Sequence, residues 1–206
     1  MARLSSPLCD VTSRTSRPPS APSRSSSSRV SCPSWLRLDV VSAVAELDIR
    51  GILEELNRAG VEFLVIGGVA VGFHGYVRAT KDVDIVPAPD PANLAKLATA
   101  LATLDAHLEG EEDFADGEIP DPLDPEALAL GGNWVLRTRL GRFDIMQWIG
   151  EDELWGKLSP TAIEAEIGRL VVRIVGYEEL IALKESAGRP EDLIDLQRLR
   201  QARGED

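Results

Sequence analysis

Three acids and a pair of glycines in this chain have the types and spacing that chemistry on phosphates requires. Asp82 and Asp84 sit in the run Asp82-Val83-Asp84-Ile85-Val86, which alternates polar and apolar as a half-buried strand does. Residues i and i+2 of a strand project to one face, so both carboxylates point one way while Val83 and Ile85 face a core. Adjacent carboxylates repel each other, and a cation relieves that repulsion. Hard oxygen ligands at this spacing suit Mg²⁺ or Mn²⁺ bridged to substrate phosphates. Two solvated acids on an exposed strand face or turn would produce the same pattern.

Asp144 is a lone acid in the apolar run Arg142-Phe143-Asp144-Ile145-Met146. Such a carboxylate is costly unless it reaches water, a partner or a metal. Beside the Asp82 strand it would complete a set of three, able to hold two divalent ions, or to hold one and deprotonate an attacking hydroxyl. The alternative is an ion pair with Arg142 or Arg139 on an edge strand. Gly67-Gly68 lies between the apolar run Phe63-Leu64-Val65-Ile66 and a short helical segment from Val69 to Phe73. Glycines there let backbone N–H groups approach a phosphate, and a helix start adds partial positive charge. A tight turn would use the same two glycines.

Four cations are candidates for neutralising a triphosphate: Arg78, Lys81, Lys184 and Arg189. Each reads equally as a surface charge or a partner for the many acids, and Arg189 alternatively braces the helix carrying Asp192 and Asp195. His74, beside Gly75 and Tyr76, is expected to be a packing or turn residue. Trp134, Trp148 and Trp155 are expected to pack in the core or a hairpin rather than to stack on bases.

The elements that must position these residues follow from periodicity. A helix is expected from Ile49 to Leu56, capped by Asp48 and stopped at Gly60, then a strand over Phe63–Ile66. The Asp82–Val86 strand precedes an Ala/Leu-rich helix over Asn93–Leu104. Residues 109–132, acidic and punctuated by Pro120, Pro122 and Pro125, read as loop. Trp134–Thr138 and Arg142–Trp148 form a hairpin through Gly141, and Leu170–Val175 is a β-branched strand. Helices over Glu178–Ala187 and Pro190–Gln201 meet at Gly188. Hairpins among interleaved helices predict an α/β (α+β) fold, a mixed sheet flanked by helices with two more at the C-terminus.

The run FLVIGGVAVGFHGYVRATKDVDIV from Phe63 to Val86 resembles the signature of the DNA-polymerase-β-like nucleotidyltransferase superfamily. That resemblance implies a phosphate-approaching loop at Gly67 and Gly68, a metal-binding pair at Asp82 and Asp84, and Asp144 as a third carboxylate. Many members carry serine where this chain has Gly68. Within the superfamily the chain looks most like small bacterial toxin–antitoxin and phage-defence nucleotidyltransferases. The residues behind this are Arg78-Ala79-Thr80-Lys81, and Leu183-Lys184 through Gly188-Arg189-Pro190-Glu191-Asp192 to Asp195-Leu196.

Composition sets the bounds. The chain has 206 residues, 44% hydrophobic, and a net charge of −12, with mean hydropathy −0.07. No stretch approaches the ~18 apolar residues of a membrane span, so a soluble domain with no membrane partner is expected. Residues 1–38 hold six arginines against Asp10 alone, a charge of +5, which leaves −17 on 39–206. An acidic body repels nucleic acid at long range and counts against a large polyanionic acceptor. Residues 1–37, rich in Ser, Arg and Pro, read as a disordered tail, a misassigned start with Val30, Val40 or Val41 as alternatives, or a targeting segment. The nucleotidyltransferase domain is then 38–206. Both cysteines, Cys9 and Cys32, fall in the tail, which suits a reducing, cytoplasmic setting.

The expected activity is metal-dependent transfer of a nucleoside monophosphate from an NTP, such as ATP, to a hydroxyl on tRNA, protein or a small molecule. A cognate toxin or antitoxin protein is an expected partner. Two rivals stand beside it: a catalytically weak, antitoxin-like or regulatory NTP-binding protein, and a nucleotide-sugar transferase using Asp82, Asp84 and Mn²⁺. The second expects a larger α/β domain than 38–206 provides.

Overall fold

The structure, a computed structural model, describes residues 47–113 and 119–205. The Ser/Arg/Pro-rich stretch, both cysteines and the expected domain start near Leu38 lie outside the described residues. Helix α1 (Ile49–Arg58) begins at Asp48, whose carboxylate accepts from the Gly51 N–H at 2.8 Å, and buries Ile52, Leu53 and Leu56. Strand β1 (Phe63–Val65) leads directly into α2 (Gly67–Phe73), and β2 spans Asp82–Pro87. Helix α3 (Pro91–Thr103) is capped by Asp90, has Pro91 in its first turn, and buries Leu94, Leu97 and Leu101.

The short β3 (His107–Leu108) is followed by a helix where the acidic composition reads as loop: α4 (Pro125–Ala129). Its start carries helix signals that the prolines mask. The Asp124 carboxylate accepts from the Glu126 N–H, and Pro125 occupies the first turn. The hairpin is β4 (Asn133–Thr138) with β5 (Gly141–Met146). It is shorter than the expected strand to Trp148, because Trp148 pairs elsewhere, in the small ribbon β6 (Trp148–Ile149) and β7 (Asp152–Glu153). Then come α5 (Leu154–Leu158), β8 (Ile163–Ile167), β9 (Leu170–Ile174), α6 (Tyr177–Ala187) and α7 (Pro190–Arg203). Gly188, at φ +61°, closes α6 in the left-handed conformation that glycine adopts without strain.

The main sheet has seven strands in the order β3-β4-β5-β2-β1-β9-β8. It is mixed, as expected: β2 with β5 and β1 with β9 are parallel, and the other pairings are antiparallel. Register sorts the side chains onto two faces. Val83, Phe143 and Leu136 form one fully buried row, and Asp84, Asp144 and Val135 form the matching row on the opposite face. The apolar rows and the inner sides of α1 and α3 make one continuous core. No helix among the described residues is long and apolar enough to cross a membrane.

Candidate active site

The parallel pairing of β2 with β5 decides where the acids go. Asp84 is the register partner of Asp144, and Asp82 of Arg142. Each of Asp82, Asp84 and Asp144 offers a carboxylate oxygen within 4.8 Å of those of the other two. Strand β5 is interior, between β4 and β2, so Asp144 is not an edge-strand acid. It does keep the ion pair weighed against a metal role: Arg142 donates through two nitrogens, at 3.2 and 3.1 Å. Arg142 also lies 3.5 Å from Glu109.

Electrostatics record the crowding. Burial, then the charges of Asp82 and Asp144, push the Asp84 carboxyl up to about 7, against weaker opposition from Lys184 and Arg189. Burial also raises Asp144, with the Arg142 hydrogen bond pulling the other way. Three hard oxygen donors that repel one another fit a divalent cation of the Mg²⁺ or Mn²⁺ class.

Gly67 and Gly68 lie in the first turn of α2, Gly67 against the carboxylate of Asp84. A Cβ on Gly67 would fall 1.9 Å from Oδ2 of Asp84, and Gly67 sits at φ +61°. Only glycine allows that backbone to lie against the acid. A Cβ on Gly68 would fall 2.5 Å from the Thr80 hydroxyl and 3.5 Å from Nη1 of Arg78. The serine common at this position in the resembled superfamily therefore has no room, because Thr80 fills it.

The expected phosphate-side cations occupy a different setting from an open pocket wall. Arg78 donates a two-bond fork to Asp195, from Nε at 2.7 Å and Nη2 at 2.8 Å. The Lys184 ammonium is buried and bridges Asp192 at 2.7 Å and Asp195 at 2.8 Å. Arg189 pairs with Asp192 at 2.8 Å, and its own backbone N–H donates to the same carboxylate. Arg189 thus braces the start of α7. The ion pairs outweigh burial and hold Asp192 and Asp195 below the usual carboxylate range. Glu191, 3.7 Å from Arg189, brings the cluster to three cations against three acids, and Lys184 and Arg189 both act on Asp84. Lys81 is exposed.

Thr80 enters the sequence reading only within the Arg78–Lys81 run and with no site role, yet its hydroxyl donates to Oδ1 of Asp82 at 3.2 Å. A hydroxyl two residues before an acid is a local turn signal that could have flagged it. Glu109, which reaches Arg142 and Arg137, had no such signal. His74 is a packing residue, with Nε2 2.8 Å from the Val175 carbonyl and its ring edge-on to Tyr177. Trp134 is buried with Nε1 donating to Gln147, Trp155 is half-buried under Arg173, and Trp148 packs beside Gly131. A depression of about 530 Å³ lined by residues including Phe73, His74, Ile163, Tyr177 and Arg203 takes none of the three acids into its wall.

No protein-family model matches the sequence, and no curated protein matches it. Among solved structures, the antibiotic-resistance factor ANT(2″)-Ia is similar. Its crystal structure with adenylyl-2″-tobramycin aligns at TM-score 0.49 and 15% identity over 75% of this chain and 86% of that one. A solution structure of the same factor gives 0.49 and 15% over 75% and 81%. A candidate nucleotidyltransferase from Thermotoga maritima aligns at 0.47 and 16% over 72% and 88%.

Proposed function

We propose that this chain is a metal-dependent nucleotidyltransferase of the DNA-polymerase-β-like superfamily, moving a nucleoside monophosphate from an NTP to an acceptor hydroxyl with release of pyrophosphate. One observation carries the reading: Asp82, Asp84 and Asp144 converge from two parallel strands beside a glycine pair. Mg²⁺ or Mn²⁺ held by these carboxylates would neutralise charge on the transferred phosphoryl group and on the departing oxygen. The chain's own part is to hold the geometry. Asp82 and Asp84 share one strand face, and Asp144 supplies the third donor once Arg142 turns toward Glu109, 3.5 Å away. Gly67 lets the backbone at the start of α2 lie against Asp84, and the N–H groups of Gly67 and Gly68 there would meet a triphosphate. Lys184 and Arg78 lend positive potential through the network on α7 rather than free N–H groups.

The acceptor is a hydroxyl on tRNA, on a protein, or on a small molecule such as an aminoglycoside. Its toxin–antitoxin setting, with a cognate toxin or antitoxin, rests on the resemblance of the Arg78–Lys81 and Leu183–Leu196 segments. The rival is a regulatory NTP-binding protein with little turnover, and a single assay separates the two. Wild-type protein with Mg²⁺ is expected to release pyrophosphate and incorporate labelled NTP. Asp84→Asn is expected to fall below about a thousandth of that rate, about 4 kcal/mol of transition-state stabilisation. Retained incorporation by a folded Asp84→Asn protein overturns the proposal, and NTP binding without pyrophosphate release in the wild type favours the rival.

A further inference from the structure

The segment between α2 and β2 carries two of the contacts that decide where Asp82 sits. Residues 77–80 have no regular secondary structure. Arg78 ties this segment in two directions: its fork grips Asp195 on α7, and its Nη1 turns back to the Ala79 carbonyl at 3.0 Å. Thr80, two residues on, donates to the carboxylate of Asp82 at 3.2 Å and lies 3.3 Å from the Asp82 carbonyl. Asp195 is itself fixed, because Lys184 reaches its Oδ2, the oxygen that also accepts from Nη2 of Arg78, at 2.8 Å, and the Lys184–Asp195 pair is almost wholly buried. A bidentate guanidinium–carboxylate contact fixes orientation as well as distance, which a point charge does not.

We propose that Arg78 is a positioning residue for the carboxylate cluster: anchored by Asp195 on the α6–α7 hairpin, it holds the Thr80 hydroxyl against Asp82. The inference rests on the reading of Asp82, Asp84 and Asp144 as a metal site, and it gives the C-terminal helices a role in setting that site. Its sign differs from that of simple electrostatics. Arg78 is a cation, so its removal through charge alone would not loosen a divalent ion. As a positioning device its removal must loosen one.

The test is Mn²⁺ titration of the full-length, nucleotide-free protein, followed by the electron paramagnetic resonance signal of free Mn²⁺, with circular dichroism as the fold control. Arg78→Gln is expected to weaken Mn²⁺ binding about tenfold. The uncharged replacement Thr80→Val is expected to do the same, with Thr80→Ser restoring wild-type affinity. Asp195→Asn is expected to follow Arg78→Gln, and the double variant is expected to be no worse than either single one, since both break one link. Unchanged or tighter Mn²⁺ binding in Arg78→Gln, while Asp84→Asn loses it, overturns the positioning role and leaves the metal-site reading standing. A wild-type protein that binds no Mn²⁺ overturns both. Should Asp195→Asn not fold, the Arg78 and Thr80 variants decide the matter, because they leave the buried Lys184 pair with Asp195 intact.

Discussion

Asp84 holds its charge less easily than an ordinary aspartate, and that has a measurable cost. Its carboxyl titrates at about 7 in the fold against 3.8 for an unhindered aspartate. Between those values the folded chain keeps a proton that the unfolded chain has released. Stability of the metal-free protein therefore falls as pH rises through that window, by at most about 1.4 kcal/mol per pH unit from this group. Asp84→Asn removes the penalty. Urea unfolding of chelator-treated protein is expected to show the variant gaining on wild type between pH 4 and 7, with a constant margin above that. A margin independent of pH would mean that burial and the neighbouring charges do not raise the Asp84 carboxyl. The same three residues were the most legible part of the chain. An i, i+2 pair and a lone acid in an apolar run need only the two-residue period of a strand to be placed on one face. Gly67 was legible as a glycine loop, but its closeness to Oδ2 of Asp84 was not, because that depends on how α2 leaves β1.

At the scale of elements, the α6–α7 hairpin is held by charges in its interior. Lys184 sits on the inward side of α6 with Leu180, where helical periodicity leads one to expect an apolar residue. Its ammonium bonds to both Asp192 and Asp195. Lys184→Met would leave two buried carboxylates with fewer cations, and removal of one partner from a buried pair costs about 3–5 kcal/mol. A loss of that size in urea unfolding is expected, whereas Arg200→Ala, at the exposed pair with Glu185, is expected to change stability by less than about 1 kcal/mol. Sequence reading finds both helices and the Arg189 brace, but not the contact of Arg78 with Asp195, which lie 117 residues apart in the chain. Strand β8 was missed for a different reason. Glu164 and Glu166 lend Ile163–Ile167 a polar look, although Gly168-Arg169 between two alternating runs is an ordinary hairpin signal. The acidic stretch before α4 hid a cap in the same way.

Across the whole molecule, two groups of strands share one sheet unequally. Strands β2 and β5 are joined over four register pairs, Asp82 to Ile85 with Arg142 to Ile145. The parallel join of β1 to β9 has a single register pair, Val65 with Ile174, continued by the Val175 N–H donating to the Val65 carbonyl at 3.0 Å. Few backbone bonds at a seam mean a small local opening free energy. Native-state hydrogen exchange is expected to reach the Val175 amide well before those of Val83 and Ile85, and equal protection would refute the idea. Strand β9 runs almost at once into α6, which bears Lys184. Breathing at this narrow junction, one strand over from Asp84, would thus swing the anchor of Arg78 as one lever, so that the rhythm of the join sets how often the framework of the carboxylates stands assembled.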